Sequence, residues 1–113
     1  MNRRGDPAER LAAAFLEEQG VRILARNYRC RFGEIDLVAE SGAFLVFVEV
    51  RARASEAFGG AAASITAAKR RRLVAAARHY LAKHRANRAC RFDVVLVQGR
   101  DREIVWLHDA FGE

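Results

Sequence analysis

The feature that most restricts the fold of this chain is a pair of strand-like segments separated by a very short turn. The segment Phe44–Arg53, with the sequence FLVFVEVRAR, is the most strongly apolar part of the chain, and the segment Glu34–Ala39 precedes it. Between them lie Ser41–Phe44, with Gly42 at the first central position of a four-residue turn, as a type II′ hairpin turn prefers. β-Branched and aromatic residues, which favour strands, are frequent in the longer segment. The sequence therefore predicts an antiparallel β-hairpin.

A helix is predicted at the start of the chain. Asp6 is its expected N-cap, Pro7 occupies the first helical position, and Glu9 completes a variant of the capping box. Gly20 is expected to end the helix. The residues whose spacing places them on the face towards the core are Ala8, Leu11, Ala12, Phe15 and Gln19.

The remaining chain predicts three further strands and a second helix. A helix between the third and fourth strands requires a right-handed crossover, which makes those two strands parallel. The 113 residues suit one hydrophobic core. We therefore expect a single α/β domain over residues 1–113, with a mixed five-stranded sheet flanked by helices. These further elements are the strands Val21–Cys30, Arg91–Val97 and Arg102–Leu107, and a helix Ala67–Lys83 that is capped by Ser64 or Thr66.

The net charge of the chain favours a polyanionic partner. Lysine and arginine number 20 against 14 aspartate and glutamate residues, which gives a formal net charge of +6. For a short chain this charge points to nucleic acid first and to an anionic membrane surface second. A basic protein whose charge binds nothing in particular is the simpler alternative, and charge alone does not separate these interpretations.

Several kinds of site and location are disfavoured by the sequence. Cys30 and Cys90 form no CxxC pair, so a zinc site is not expected and the thiols should stay reduced. His79 and His84 are five residues apart and do not share a helix face, and His108 stands alone. A bound metal would therefore have carboxylate ligands. No stretch approaches the ~20 apolar residues of a membrane helix, and the N-terminus lacks the pattern of a signal peptide, so we expect a cytoplasmic protein with no membrane contact.

Two carboxylates are predicted to meet across the hairpin. The Gly42 turn pairs residues whose numbers sum to 85, so that Asp36 faces Glu49 and Glu34 faces Arg51. Facing Cβ atoms lie about 4.5–5.5 Å apart, which lets two carboxylates share one cation. Like charges there repel, and Mg²⁺ or Mn²⁺, completing its shell with water and phosphate, would offset the repulsion. Alternatively, both acids are solvated surface residues paired with arginines, and the Glu34–Arg51 pair is most simply a structural ion pair.

A run of basic residues opens the second helix. Lys69-Arg70-Arg71-Arg72 lie in its first turns, where positive charge opposes the helix dipole at a cost of about 0.3–1 kcal/mol each. We interpret the run as a phosphate-contacting surface, with an ordinary solvated helix face as the alternative. Tyr28 is predicted to be an exposed aromatic contact. The strand residues that would extend the positive surface around the acidic pair are Arg29, Arg31, Arg51 and Arg53.

These residues resemble a known pattern. Asp36 on one strand and Glu49-Val50-Arg51 on the next, within an αβββαβ order, resemble the PD-(D/E)xK nuclease superfamily. More narrowly, the chain is similar to the YraN-like family of small bacterial proteins over nearly its whole length. The Gly-Glu-Ile-Asp-Leu and Phe-Val-Glu-Val segments at this spacing are the most specific part of the similarity. The residues that carry it are Asn27–Arg31, Gly33–Leu37, Phe47–Arg53, Phe58, Gly59 and Phe92–Val95, together with Glu9, Lys69, Arg72 and Leu73.

The resemblance implies a restriction endonuclease-like fold with a metal-dependent phosphodiesterase core, comparable to Holliday junction resolvases, which cut branched DNA. Asp36 and Glu49 match the metal-binding acidic positions of the motif, and Glu9 matches a helical acidic position that can complete the site. Lys69 is similar in placement to a helical basic residue that approaches the active centre in some members. Arg51 stands where the motif has lysine. Because arginine stays protonated and presents a planar fork, it suits phosphate clamping better than general-base catalysis.

Three hypotheses for function follow. The leading one is a Mg²⁺- or Mn²⁺-dependent endonuclease that hydrolyses phosphodiester bonds in branched or structured DNA. The second is a noncatalytic nucleic-acid-binding module with a degenerate site, and the third is an adaptor for a protein partner. A four-way junction has two-fold symmetry and would favour a homodimer. The expected catalytic residues are Asp36, Glu49 and Arg51, the metal ligands Asp36, Glu49 and Glu9, and the nucleic-acid-binding residues Arg53, Lys69, Arg70, Arg72, Arg29 and Arg31.

Overall fold

The computed structural model describes residues 7–53, 65–99 and 101–112. Within these ranges it contains two helices and five strands, in the order expected from the sequence. No helix in the same ranges is both long enough and apolar enough to cross a membrane. The expected caps Asp6 and Ser64 lie outside the described residues. The elements are α1 (Pro7–Glu18), β1 (Arg22–Cys30), β2 (Gly33–Ser41), β3 (Phe44–Arg53), α2 (Ala67–Lys83), β4 (Cys90–Gln98) and β5 (Glu103–Phe111).

The strands form one sheet in the order β1-β2-β3-β4-β5. β3 and β4 pair in parallel, whereas the other neighbouring strands pair antiparallel. The parallel pair arises because α2 connects β3 to β4 and returns the chain to the end of the sheet at which β3 began. The expected α/β class with a mixed five-stranded sheet is therefore confirmed.

One face of the sheet is covered by α2. The helix is capped by Thr66, whose Oγ1 accepts a hydrogen bond from the Lys69 N–H at 3.1 Å. Packing on the sheet brings Lys69, in the first turn of α2, to Glu49 of β3, with Nζ 3.6 Å from Oε2. The helix residues Leu73, Ala76, Ala77 and Tyr80 are buried in one cluster with the sheet residues Ile35, Val38, Leu45, Phe47, Phe92, Val94 and Leu96.

The other face is covered by α1, through a helix surface that overlaps the predicted one and is rotated from it. The buried residues of α1 are Ala8, Glu9, Ala12, Ala13 and Leu16, whereas Leu11 and Phe15 are half-buried and Gln19 is exposed. The alanines let the helix lie close to β1, β3 and β4, because their side chains take little space. The prediction is confirmed for Ala8 and Ala12 and wrong for Gln19, because small alanines mark the centre of a buried helix face less clearly than leucine or phenylalanine does.

β5 extends further than the sequence predicted. The strand was expected to end at Leu107, but it continues through the polar residues His108 and Asp109 to Phe111. A register shift in the β4–β5 pairing lets Asp109 adopt a φ of 51° and donate its N–H to Asp93 Oδ1 at 2.8 Å. The strand accommodates these polar residues at an irregularity and then resumes its pairing.

Candidate metal centre

The β2–β3 hairpin brings Asp36 and Glu49 together. Gly42, with a φ of 58°, lies in the turn, and the backbone pairing runs along the hairpin as far as Leu37 opposite Val48. These pairs have the predicted register, which is confirmed up to this point. Asp36 and Glu49 occupy the next positions, immediately beyond the last paired residues.

Asp36 is attached to β3 through its side chain. Where the pairing of β2 with β3 ends, the Val50 N–H donates a hydrogen bond to Asp36 Oδ2 at 2.8 Å. Asp36 is 2% exposed and Glu49 is 6% exposed. The alternative is therefore wrong in making the two acids solvated surface residues, whereas the arginine partner that it expected is present at Glu49, in Arg51. The two carboxyl groups are close enough to share a hydrogen bond when one of them carries a proton.

The surroundings of Glu49 favour its protonated form. Burial is the largest cause, because an ionised carboxylate loses its hydration, and the negative charge of Asp36 adds to this effect. Two cations act in the opposite direction, Arg51 Nε at 3.5 Å and Lys69 Nζ at 3.6 Å from Glu49 Oε2. Burial and repulsion outweigh the cations and raise the pKa of Glu49 from 4.5 to about 7.

The basic run of α2 is divided between different faces of the helix. Lys69 turns inward to Glu49, while the Nε–H of Arg70 donates to a backbone carbonyl at 3.1 Å. Arg71 and Arg72 are exposed. Successive residues of an α-helix are rotated by about 100°, so four consecutive side chains cannot serve one surface. The structure therefore brings one of these four residues, Lys69, to the acidic pair.

Glu9 is buried on α1, where it is 5% exposed. α1 packs against β1, β3 and β4, on the opposite face of the sheet from α2. Among the described residues, no group of three or more histidine, cysteine, aspartate and glutamate side chains is placed to hold a metal ion. The structure thus assembles two carboxylates of the expected set, and the metal-binding role of Glu9 stays a prediction.

Two adjacent, buried carboxylates provide the kind of ligand that Mg²⁺ and Mn²⁺ take in proteins. These ions prefer oxygen, and Mg²⁺ in particular keeps several waters, so one or two carboxylates suffice when water and a substrate phosphate complete the shell. A divalent cation beside Asp36 and Glu49 would also offset the repulsion that helps to raise the pKa of Glu49. The donor set therefore fits the predicted metals.

The predicted ion pair of Glu34 has a different partner. Glu34 lies opposite Arg29 of β1, and Arg29 Nε is 3.4 Å from Glu34 Oε2. Strand pairing does not place Arg51 opposite Glu34, because the pairing of β2 with β3 ends before Glu34 is reached. Arg53 is the last residue of β3, and its side chain lies outside the described residues, so its contact with phosphate stays a prediction.

The exposed aromatic residue at this end of the sheet is Phe32 rather than Tyr28. Tyr28 is half-buried, its Oη lies 2.5 Å from His79 Nδ1, and its ring packs edge-on against Tyr80. Phe32 is 38% exposed in the turn between β1 and β2, with the Arg31 guanidinium 4.8 Å from its ring centroid. The sequence contained a signal for the exposure of Phe32, since this residue stands between Arg31 and Gly33, the glycine expected to end the strand.

Asp93 is a buried acid that the sequence analysis did not single out. It is 0% exposed, and each of its oxygens accepts two hydrogen bonds. Oδ1 accepts from Arg91 Nε at 2.9 Å and Asp109 N at 2.8 Å. Oδ2 accepts from Arg91 Nη2 at 2.9 Å and Trp106 Nε1 at 2.8 Å. Four donors fill the acceptor sites of the carboxylate, so Asp93 links β4 to β5 and is not a free metal ligand.

Comparison with known proteins places the chain in a family. A family model described as "Uncharacterised protein family UPF0102" matches residues 8–97. The match includes the hairpin that carries Asp36 and Glu49, and both helices apart from the first residue of α1. The chain belongs to the UPF0102 family. The resemblance to YraN-like proteins is thereby confirmed.

Curated UPF0102 proteins match over nearly the full length of this chain. A UPF0102 protein of Nitrosomonas europaea is 58% identical over 111 residues, covering 97% of this chain and 94% of its own length. One of Methylobacillus flagellatus is 55% identical over 112 residues, covering 98% of each chain. One of Legionella pneumophila is 44% identical over 110 residues, covering 96% of this chain and 93% of its own. The similarity therefore extends over all the elements of the fold.

Proposed function

We propose that this UPF0102 protein binds DNA and hydrolyses phosphodiester bonds in branched or structured DNA with Mg²⁺ or Mn²⁺. The observation that carries the proposal is the buried pair of Asp36 and Glu49, with Arg51 and Lys69 against Glu49. Phosphodiester hydrolysis of this kind needs carboxylates for a divalent cation and positive charges for the phosphate, within reach of one another. Two strands and one helix supply both.

Hydrogen bonding to the backbone accounts for Asp36 but does not account for a second buried carboxylate beside it. The same fold contains Asp93, a structural buried acid, and that carboxylate is fully supplied with hydrogen-bond donors. Glu49 is different, because burial and the charge of Asp36 outweigh the neighbouring cations and raise its pKa to about 7. A buried acid whose ionised form is disfavoured beside a second carboxylate is the arrangement that a divalent cation stabilises.

The basic residues of the site have separate roles in this proposal. Mg²⁺ or Mn²⁺ at the acidic pair would supply charge neutralisation at the scissile phosphate and an activated water. Arg51 keeps its proton, and its planar fork suits two oxygens of one phosphate. Lys69 is a compact charge beside the same carboxylate. We propose that it replaces the lysine that the motif has at position 51. In that role it would orient the attacking water and stabilise negative charge.

The positive surface around the site suits the phosphate backbone of DNA. Arg29 and Arg31 lie on either side of the end of β1, and Arg72 of α2 lies beside the same turn. Contacts of this kind position a nucleic acid without reading its sequence, and they make binding fall steeply with salt. Arg70 already donates to a backbone carbonyl, so it should contribute less than Arg72.

The proposal is tested by cleavage of labelled four-way junction, single-stranded and duplex DNA in Mn²⁺. Asp36→Asn and Glu49→Gln should each abolish cutting. Glu40→Gln is the matched control, since Glu40 is an acid of the same strand that pairs with Arg22 and Arg88 instead of facing the site. Cutting that persists in Asp36→Asn would contradict the proposal.

A noncatalytic nucleic-acid-binding module is the second candidate, and the arginine at position 51 is the observation that favours it. A site without the motif lysine can bind DNA and metal while lacking turnover. Salt-sensitive DNA binding without cutting would support this function. Absence of DNA binding even at low salt would favour an adaptor for a protein partner. Light scattering of the junction complex would test the proposed homodimer.

A further inference from the structure

Phe32 occupies an exposed position in the turn between β1 and β2. Three large apolar residues are exposed in the part of the chain that the structure describes: Leu24 at 38%, Phe32 at 38% and Phe44 at 39%. Single exposed apolar residues are common on protein surfaces, so exposure alone assigns no role. Phe32 differs from the other two because it directly precedes β2, the strand that carries Asp36 in its first half.

The Phe32 ring is held in place by its neighbours. The Arg31 guanidinium lies 4.8 Å from the ring centroid, and the ring of His79 on α2 meets it edge-on with the centroids 6.1 Å apart. The turn itself rests against α2, because a Cβ placed on Gly33 would lie 3.5 Å from the Cβ of Arg72. A ring that is exposed yet already positioned loses little conformational entropy when it binds a ligand.

Phe32 also lies near the carboxylate pair along the chain. Asp36 follows it by four residues, which corresponds to about 13 Å at the ~3.3 Å rise of a strand residue. One strand of stacked DNA covers that distance with about four nucleotides, at ~3.4 Å each. A DNA strand with a phosphate at Asp36 and Glu49 therefore reaches Phe32 within a few nucleotides. Arg29, whose side chain is 52% exposed, lies beside this path.

We propose that Phe32 stacks on an unpaired nucleobase of the DNA strand whose backbone lies at the carboxylate pair. This inference rests on the proposed function and narrows its substrate class to DNA in which unpaired nucleotides adjoin a duplex. Stacking on an aromatic ring tolerates every base, because each base has a π-face. Bases within a duplex already stack on their neighbours. An unpaired base can therefore stack on the Phe32 ring at a lower cost than a base within a duplex.

Phe44 provides a comparison within the same protein. It is 39% exposed, and the Arg91 guanidinium lies 5.2 Å from its ring centroid, so its local surroundings are similar to those of Phe32. Phe44 begins β3 at the turn of the hairpin, five residues before Glu49, so it lies on the opposite side of the carboxylate pair from Phe32. The two phenylalanines share exposure and a cation–π contact, and they differ in their position relative to the carboxylate pair. Phe44 is therefore the matched control.

The experiment compares a continuous DNA duplex with a duplex of the same length that has a short single-stranded gap containing 2-aminopurine. Binding is measured by anisotropy, and stacking by quenching of 2-aminopurine, with Ca²⁺ in place of Mg²⁺ or Mn²⁺ so that the carboxylate pair holds a divalent cation while cutting is suppressed. Phe32→Leu removes the π-face and keeps an apolar side chain. We expect it to bind the gapped DNA roughly 5- to 100-fold more weakly, to lose most of the quenching, and to bind the continuous duplex unchanged. Phe32→Trp should restore both, and Phe44→Leu should alter neither.

The outcomes separate this inference from the proposed function. If the unaltered protein binds DNA but Phe32→Leu and Phe44→Leu show equal affinity and equal quenching with the gapped probe, the inference is wrong and the proposed function stands. If the unaltered protein binds neither probe at low salt, the proposed function fails and the inference fails with it. Rescue by Phe32→Trp shows that the loss comes from stacking, since a misfolded protein would not be rescued.

Discussion

The backbone N–H of Val50 donates a 2.8 Å hydrogen bond to the Asp36 carboxylate at the point where β2 and β3 cease to pair. The side chain of Asp36 thus supplies a hydrogen-bond acceptor for the N–H of Val50. The contact orients Asp36 towards β3, on which Glu49 lies. Asp36 therefore has a structural role, which needs an acceptor oxygen, and a proposed metal-binding role, which needs a negative charge. Substitutions can separate the two roles.

Asp36→Asn should retain the fold and lose metal binding. The amide oxygen can still accept the hydrogen bond from Val50, and removal of the charge relieves the repulsion at Glu49. Without metal, the variant should be at least as stable as the unaltered protein. Asp36→Ala leaves the buried N–H without its acceptor and should lower the free energy of unfolding by about 1–3 kcal/mol. Urea unfolding in EDTA measures the stability of the two variants. A large loss of stability in Asp36→Asn would contradict the separation of the two roles of Asp36.

The stability of the metal-free protein should fall as the pH rises through the range set by Glu49. Its pKa is raised from 4.5 to about 7, so between these values the folded protein holds a proton that the unfolded chain has released. The stabilising contribution of this proton is fully present below pH 4.5 and is lost as the pH rises through about 7. By linkage, this contribution is on the order of 3 kcal/mol.

Glu49→Gln provides the control for this pH dependence. In EDTA the variant should be nearly as stable as the unaltered protein at acid pH, and more stable at pH 8 by on the order of 3 kcal/mol. Urea unfolding at several pH values gives the two slopes, and their difference isolates Glu49 from the other titrating groups. Identical slopes would show that Glu49 does not titrate in this range.

Mn²⁺ should raise the thermal stability, and more strongly at pH 8 than at pH 5.5. Carboxylate ligands bind metal in their ionised form, and Glu49 is largely protonated below a pKa of about 7. A ligand at 100 times its Kd adds about 2.7 kcal/mol to the free energy of unfolding. Calorimetry with and without Mn²⁺ measures the shift.

Variants identify the ligands behind this metal-dependent shift. Asp36→Asn and Glu49→Gln should lose it, and Glu40→Gln should retain it. Glu9→Gln tests the predicted third ligand on α1, since a smaller shift in that variant would assign Glu9 to the metal centre. If saturating Mn²⁺ at pH 8 leaves the melting temperature of the unaltered protein unchanged, the prediction of a metal centre is wrong.

Lys69→Met should slow DNA cleavage by about 10²–10³-fold, the usual effect of removing one group that stabilises charge in the transition state. Because Lys69 lowers the pKa of Glu49, the pH profile of metal binding should also move to higher pH. Arg71→Met, at an exposed neighbouring position, is the control and should change neither quantity. Single-turnover cleavage and Mn²⁺ titration provide the two readouts.

Arg51→Lys distinguishes the two candidate functions. It restores the lysine of the motif, and in a nuclease it should raise the single-turnover cleavage rate. In a noncatalytic module it should leave cleavage absent. DNA affinity at low salt should change little in either case, because one cation replaces another.

Asp93→Ala should destabilise the fold without affecting the metal centre. The substitution removes the acceptor of Arg91, Trp106 and the Asp109 N–H, and breaking a buried ion pair typically costs about 3–5 kcal/mol. Chemical unfolding measures the loss. The additional stability conferred by Mn²⁺ should persist in whatever fraction remains folded, and its disappearance would contradict a purely structural role for Asp93.

Local chain geometry was sufficient to predict the order of the elements and the register of the hairpin as far as Leu37 and Val48, next to the site. The short turn at Gly42 sets the register of β2 against β3, so the meeting of Asp36 with Glu49 followed from residue numbers. The helix between β3 and β4 required their parallel pairing. The segments around Asp36 and Glu49 also sufficed to identify the family, which the match over residues 8–97 confirms.

The tertiary structure decided the surroundings of these residues. The contact of Glu49 with Lys69, twenty positions away, depends on the packing of α2 on the sheet, and so does part of the burial of Glu49. Packing also left Tyr28 half-buried and Phe32 exposed, and it satisfied Asp93 with donors from two strands. Periodicity indicates which residues share a face of a helix or strand. Only the contacts between elements determine how much water reaches a side chain and which charges lie beside it. The exposure of a side chain follows from the first, and its pKa depends on the water and on the charges.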